Sequence, residues 1–214
     1  PRDSPGSLRA PHLSCIAMLS AVLALSPESL VLGSRATVPA RASANMGVGL
    51  LYSTTTGNTE TVAGYLSAEI GVDAVDIADA EDLASFDGLI IGAPTWHTGA
   101  DSERSGTAWD DYLYGDLTSA DLKGKKVAIF GLGDQAGYGD NFCDAMDELK
   151  SCFEKQGAEV IGAWSADGYD HTESKSEAGG TFVGLACDED NQPDQSEERV
   201  KAWVAQLKSE GMPL

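Results

Sequence analysis

The segment from Ser53 to Thr59 has the residue types that hold a phosphate group. It places hydroxyl, glycine and amide groups between an apolar run and a segment of helical spacing. Backbone N–H groups and the positive end of a helix dipole are exposed together at such a junction. Because the segment contains no lysine or arginine, hydroxyls and peptide N–H groups alone would bind the phosphate, which favours one enclosed phosphate over a polyphosphate. We call this segment the cradle, and its residues are Ser53, Thr54, Thr55, Thr56, Gly57, Asn58 and Thr59.

Two further loops carry aromatic residues where predicted strands end. The loop Gly92–Gly99 contains Trp96 directly after a strand-ending proline and threonine, and the loop Gly131–Asp140 contains Tyr138 among several glycines. Glycines allow a close approach of the backbone to a ligand, and the two aromatic rings could face each other across a gap. Beside a phosphate cradle, this arrangement fits a flat ring that bears a single phosphate. Each aromatic taken alone also fits a structural role, as a half-exposed anchor of its loop.

Apolar runs alternate with segments of helical spacing from Met46 onward. The predicted strands are 48–52, 72–77, 89–93, 125–131 and 159–164, the last of which resumes at 181–186. Helices are predicted over 59–70, around 108–114, along the apolar residues Phe142, Met146, Leu149 and Phe153, and from 194 or 196 onward. Near-continuous apolar strands are typical of parallel sheets covered on both faces. The sequence therefore predicts an α/β fold with five parallel strands and five intervening helices, in which the loops after strands one, three and four converge.

Acidic residues dominate the charge of this chain. Its 214 residues include 14 basic and 34 acidic side chains, which gives a formal net charge of -20. Residues 1–45 hold four arginines and two acids, so that 10 basic and 32 acidic residues remain in 46–214. Such a body is expected to repel nucleic acid and anionic membranes and to attract basic partner surfaces. The alternative is that the acids only confer solubility.

Residues 1–45 have the composition of a targeting presequence that is cleaved or disordered. The apolar run Leu13–Leu25 is short for a membrane span, which needs about 20 residues, but fits the core of a signal peptide. A basic, acid-poor tract follows and ends in Ala42, Ser43 and Ala44, which resembles a cleavage site. This two-part pattern predicts delivery to a plastid, and simple secretion or a single-step transit peptide are the alternatives. The globular domain would then comprise residues 46–214.

Five segments together resemble the long-chain flavodoxins. They read STTTGNTE, GAPTWHTG, FGLGDQAGYGDNF, and WSADGYD followed by FVGLACDEDNQ, and the similarity extends over Met46–Leu214. The resemblance implies a flavodoxin-like three-layer sandwich with a five-stranded parallel sheet that binds one FMN without a covalent bond. The segment 165–180 matches the insert in strand five that distinguishes the long-chain type from the short.

The resemblance also implies roles for single residues. Thr54, Thr55, Thr56, Asn58 and Thr59 would hold the phosphate, and Trp96 and Tyr138 would flank the isoalloxazine ring. Asp134 would meet the polar edge of that ring, while the backbone at His97 and Thr98 would face its N5 atom. The other implied cofactor-binding residues are Ser53, Gly57, Pro94, Thr95, Gly99, Gly131, Leu132, Gly133, Asn141 and Phe142.

For function, the resemblance implies a low-potential one-electron carrier rather than an enzyme. A plastid presequence would place it in the stroma as a monomer that carries electrons from photosystem I to ferredoxin–NADP reductase in place of ferredoxin. One alternative is an FMN-dependent NAD(P)H:quinone reductase on the same fold, although aromatic residues over both ring faces would block hydride and quinone. The other is a binding or regulatory module that has lost FMN, against which the complete cradle argues.

Catalytic and metal-binding motifs are not apparent in the sequence. Cys143, Cys152 and Cys187 have no C-x-x-C spacing and are predicted to be buried or half-buried thiols. His97 lies near Asp101 and Glu103, but their spacing matches no defined metal motif. The pattern G-x-G-x-x-A at 131–136 resembles a dinucleotide fingerprint, yet the following helix is predicted to begin too late to aim at a pyrophosphate.

Overall fold

The computed structural model describes residues 47–95 and 105–214. Its main sheet is parallel, and its strands are β1 (Val48–Tyr52), β2 (Ala74–Asp76), β3 (Gly88–Ala93), β4 (Lys126–Leu132), β5 (Glu159–Ile161) and β8 (Leu185–Cys187). The spatial order is β2-β1-β3-β4-β5, and β8 also pairs with β4. The chain thus moves from β1 to one side and then returns to the other side at β3. That reversal creates a crevice at the carboxyl ends of β1 and β3, where ligands bind in open α/β sheets.

Helices cover both faces of the sheet and complete the predicted three-layer α/β sandwich. The helices α1 (Asn58–Ile70) and α4 (Pro193–Ser209) pack on one face, against strand residues such as Leu50 and Phe130. The short α2 (Trp109–Tyr112) and the longer α3 (Ala145–Lys155) pack on the other face, against alternate strand residues such as Leu51. Successive strand side chains point to opposite faces, so these continuously apolar strands need a cover on each side.

Two details of the predicted helices are wrong. The predicted total of five helices fails between β2 and β3, where no helix bounds were assigned and the chain forms two 3-10 turns, Ile77–Asp79 and Leu83–Ser85. The carboxylates of Asp76 and Asp82 accept hydrogen bonds from backbone N–H groups two residues later, at 2.9 Å in both cases, and such local bonds favour tight turns over helix. Phe142 was assigned to a helix but precedes α3, although its ring is fully buried.

The fifth strand is interrupted over a longer stretch than the sequence predicted. The residues between β5 and β8 leave the main sheet, and within them β6 (Trp164–Ser165) pairs with β7 (Thr181–Phe182) in a separate antiparallel ribbon. Trp164 and the pair Thr181–Phe182 were expected in strand five, but they form this ribbon instead. The chain returns to the sheet at Gly184, where a Cβ atom would lie 2.0 Å from the carbonyl oxygen of Ile129. Only glycine fits this close approach of two backbones.

Cys143, Cys152 and Cys187 are buried, as predicted. Burial raises the pKa of the Cys187 thiol to about 12. In the described part of the chain, no helix has the length and apolar character needed to cross a membrane.

Candidate functional site

The cradle connects the end of β1 to the first turn of α1. Gly57 has φ of 95°, a left-handed conformation that glycine adopts without strain, and this lets the chain turn sharply into the helix. The Thr54 hydroxyl oxygen accepts a hydrogen bond from the Gly57 N–H at 2.9 Å and closes the loop. At the other end, the Ser53 N–H donates to the Gly92 carbonyl at 3.3 Å and ties the cradle to β3.

The start of α1 offers hydrogen-bond donors for a phosphate. The first N–H groups of a helix have no acceptor within the helix and carry its positive partial charge. The Thr59 Oγ1 atom is buried there without a hydrogen-bond partner. A buried hydroxyl without a partner is destabilising, so this atom has the character of a donor that awaits an acceptor. Together with the absence of lysine and arginine, this donor set fits a single phosphate monoester.

The other cradle side chains either bond carboxylates of the protein or are exposed to solvent. The buried Ser53 hydroxyl donates to an Asp76 carboxylate oxygen at 3.0 Å, so the structure uses it to join β1 to β2. The Asn58 amide donates to Asp190 at 3.2 Å. Thr55 and Thr56 are exposed at the tip of the loop. Their predicted contacts with a phosphate stay predictions.

The loop after β3 is described only as far as Thr95. Pro94 is buried, and the Thr95 hydroxyl donates to the Leu132 carbonyl at the end of β4. This bond, and the one between Ser53 and Gly92, bring the ends of β1, β3 and β4 together as the sequence predicted. The predicted cofactor-binding residues Trp96, His97, Thr98 and Gly99 lie outside the described residues.

The glycines at the end of β4 also have a role in core packing. A Cβ atom at Gly131 would lie 2.5 Å from the Met146 side chain, and one at Gly133 would lie 2.4 Å from the Phe142 ring. These glycines make room for core side chains, and their predicted close approach to a ligand stays a prediction. Leu132 is also buried, and any ligand contact of Phe142 would have to come from its backbone because its ring is fully covered.

The residues Gly133–Tyr138, which we call the ring loop, begin where β4 ends. The Asp134 Oδ1 atom accepts hydrogen bonds from the N–H groups of Ala136 at 3.1 Å and Gly137 at 2.8 Å. It also accepts one from the Asn191 amide at 2.8 Å. These donors, the Gly137 N–H first, lower the pKa of Asp134 and keep the carboxylate ionised.

Tyr138 is the most exposed large side chain of the ring loop. It is 67% exposed, which leaves a ring face available for stacking. Its N–H donates to the Asp134 carbonyl at 2.8 Å, so the turn that holds the Asp134 carboxylate also fixes the backbone of Tyr138. Asn141 follows in a 3-10 turn, where its amide donates to Asp144 at 3.3 Å.

Sequence reasoning missed the turn Asp188–Asn191, which follows β8. Its residues contact both the cradle, through Asn58, and the ring loop, through Asp134. The signal was present in the sequence, because this polar run directly follows a predicted strand and therefore lies at the same edge of the sheet as the cradle. Within residues 47–95 and 105–214, no group of His, Cys, Asp and Glu residues is arranged to hold a metal ion.

The chain is similar to proteins of one family. Residues 50–203 match the family model described as Flavodoxin. A flavodoxin of Synechococcus elongatus is 49% identical over 169 residues, which cover 76% of this chain and 96% of the relative. A flavodoxin of Nostoc is 48% identical over 168 residues, with the same shares covered. Among solved structures, a Fusobacterium nucleatum flavodoxin bound to flavin mononucleotide has a TM-score of 0.69 and 30% identity, over 77% of this chain and 98% of that chain.

Proposed function

Because the chain belongs to the flavodoxin family, we propose that it binds one FMN without a covalent bond and carries single electrons at low potential. Flavodoxins are electron-transfer flavoproteins and do not convert a substrate of their own. The solved Fusobacterium nucleatum relative, whose structure contains flavin mononucleotide, supports FMN as the cofactor. When bound, FMN supplies the redox chemistry, since it accepts and releases electrons one at a time.

The observation that carries this proposal is the partnerless Thr59 hydroxyl at the start of α1. It is buried, and it lies beside helix N–H groups that have no acceptor within the helix. The FMN phosphate would supply the missing acceptor. A riboflavin without phosphate would leave this donor unpaired, so the cradle selects the phosphorylated form of the cofactor.

The ring loop would set the electrostatics around the isoalloxazine ring. Its carboxylate, Asp134, is held ionised by two peptide N–H groups and by the Asn191 amide. A fixed negative charge disfavours the arrival of further negative charge nearby, and the net charge of -20 acts in the same direction. Both effects favour a low reduction potential. Tyr138 would cover one face of the ring, and Trp96 would cover the other.

We further propose the long-chain type, a plastid presequence in residues 1–45, and transport of electrons from photosystem I to ferredoxin–NADP reductase in the stroma. The interruption between β5 and β8 supports the first of these. The relatives from cyanobacteria, at 49% and 48% identity, support a photosynthetic setting. The acidic surface supports a monomer that docks transiently on basic faces of larger partners.

Stepwise reduction of the FMN-loaded protein, followed by absorption, tests the carrier function. We expect the reduction to proceed in two separate one-electron stages. Illuminated photosystem I should reduce the protein directly, whereas NADPH should reduce it only when ferredoxin–NADP reductase is added. Rapid oxidation of NADPH by a quinone with this protein alone would overturn the proposal and favour the quinone reductase. A protein that binds no FMN at micromolar concentration would overturn it altogether.

A further inference from the structure

We propose that Asn191 is a positioning residue for the flavin site, which acts through Asp134 to hold the ring loop in its ligand-binding shape. This inference rests on the proposed binding of FMN. Asn191 is not among the residues expected to contact the cofactor, and it lies 57 positions from Asp134 in the sequence. Its amide nevertheless links the turn after β8 to the ring loop.

Asp188 anchors the turn that presents Asn191. Its side chain is fully buried, and its Oδ1 atom accepts hydrogen bonds from the backbone N–H groups of Asp190 at 3.1 Å and Asn191 at 2.9 Å. Its Oδ2 atom accepts the Gln135 N–H at 3.0 Å. A buried carboxylate with this many donors is satisfied, so it holds the turn in a fixed position against Gln135 of the ring loop.

The Asn191 amide nitrogen lies between two carboxylates. It is 2.8 Å from Asp134 Oδ1, 3.0 Å from Asp188 Oδ1 and 2.9 Å from Asp188 Oδ2. An amide N–H₂ group has two donors, and here it can serve one carboxylate with each. Asn191 therefore separates two negative charges and bonds both. Without a donor at this position, the two carboxylates would face each other unscreened.

The geometry of Asp134 determines that of the ring loop. Its carboxylate bonds the Ala136 and Gly137 N–H groups, and its carbonyl accepts the Tyr138 N–H. A Cβ atom at Gly137 would lie 2.3 Å from Asp134 Oδ2, so the loop wraps closely around this side chain. Loss of the Asn191 bond would let the carboxylate turn away and would release the backbone that positions the Tyr138 ring.

Two variants separate a donor role from a purely steric one. Asn191→Ala removes the donor, and Asn191→Asp keeps the size but puts a third carboxylate beside Asp134 and Asp188. Asn191 is exposed, so neither variant disturbs the core. The affinities for FMN, for riboflavin and for inorganic phosphate are measured, together with the visible circular dichroism of bound FMN. Asp194→Asn, an exposed residue in the first turn of α4, is the matched control.

We expect Asn191→Ala to weaken riboflavin binding about tenfold, and Asn191→Asp to weaken it more, because a hydrogen bond to a charged group is lost in both. Phosphate affinity should not change, and amide hydrogen exchange of residues 135–138 in the unliganded protein should become faster. The visible circular dichroism of bound FMN should differ from that of the wild type in both variants. The control should give the wild-type spectrum.

Two results would overturn the inference and leave the proposed function intact. The first is wild-type riboflavin affinity in Asn191→Asp, and the second is equal loss of phosphate and riboflavin affinity in both variants. Failure of the wild-type protein to bind FMN would instead contradict the proposed function, so the two failures are distinguishable.

Discussion

At the scale of single residues, the buried hydroxyl of Thr59 is the sharpest test of the cradle. Thr59→Val keeps the shape and removes an Oγ1 atom that has no partner. We expect the free energy of unfolding of the FMN-free protein to rise by about 1 kcal/mol and the FMN affinity to fall about tenfold, because the hydroxyl is costly when unpaired and useful when it bonds a phosphate. Calorimetric titration with FMN and riboflavin measures the affinities, and urea titration of the FMN-free protein measures the free energy of unfolding. Thr61→Val, whose exposed hydroxyl bonds the Gly57 carbonyl, is the control, and equal affinities in all three proteins would contradict the prediction.

Asp134 gives a second prediction at the residue scale, concerning pH. Its pKa is lowered in the folded protein, chiefly by the Gly137 N–H and next by Asn191, so the unfolded chain binds a proton there more readily. The carboxylate therefore stabilises the fold fully above the ordinary pKa of aspartate, about 4, and this contribution is lost as pH falls through the lowered value. In urea unfolding without FMN, wild type should exceed Asp134→Asn in stability by more at about pH 6 than at about pH 3. An unchanged difference would show that the hydrogen bonds do not depend on the charge.

At the scale of elements, the apolar pattern predicted those strands and helices that are buried along most of their length. β1, β3 and β4 are covered on both faces, so burial alone determines their composition. The 3-10 turns after β2 could not be predicted in this way, because side-chain bonds from Asp76 and Asp82 decide the local backbone. The departure of the chain from strand five depends on where two backbones meet at Gly184, which no local pattern contains.

The candidate site was predictable where its residues are contiguous in the sequence, and not where it depends on contacts between distant loops. The cradle residues are contiguous, so their chemistry is visible in the sequence as one unit. The bond between Asn191 and Asp134 was not predictable, because it joins two loops 57 positions apart and depends on the side-by-side placement of β4 and β8. The packing role of Gly131 and Gly133 was not predictable for a related reason. The sequence shows that space is needed at these positions, but only the fold shows that core side chains fill it.

Two glycine substitutions test the packing of these elements with opposite signs. Gly184→Ala would press a methyl group against the Ile129 carbonyl, and we expect it to lower the free energy of unfolding by more than about 2 kcal/mol. Gly64→Ala lies on the exposed side of α1, where a Cβ atom meets nothing within 4 Å. This substitution should raise the free energy of unfolding by about 0.5–1 kcal/mol, because alanine has a higher helix propensity than glycine. Urea titration of the FMN-free proteins measures both, and a neutral Gly184→Ala would mean that β8 can move away from β4.

At the scale of the whole molecule, we expect the negative charge of residues 46–214 to control how fast the protein associates with a basic partner. Residues 46–214 hold 32 acidic and 10 basic side chains, and a body of one sign attracts basic surfaces over distances comparable to the Debye length. The rate of association with a basic redox partner should therefore decrease steeply with salt. We expect the second-order rate of electron transfer to ferredoxin–NADP reductase to fall at least about tenfold between about 20 mM and about 300 mM NaCl.

Stopped-flow mixing of reduced, FMN-loaded protein with the oxidised reductase measures this rate. The control is oxidation of the same protein by a small uncharged acceptor, which should be nearly independent of salt because no long-range attraction contributes. If both rates show the same dependence, the acidic residues serve solubility alone, as the alternative interpretation of the composition holds. If only the rate with the reductase falls, long-range charge attraction brings the two proteins together.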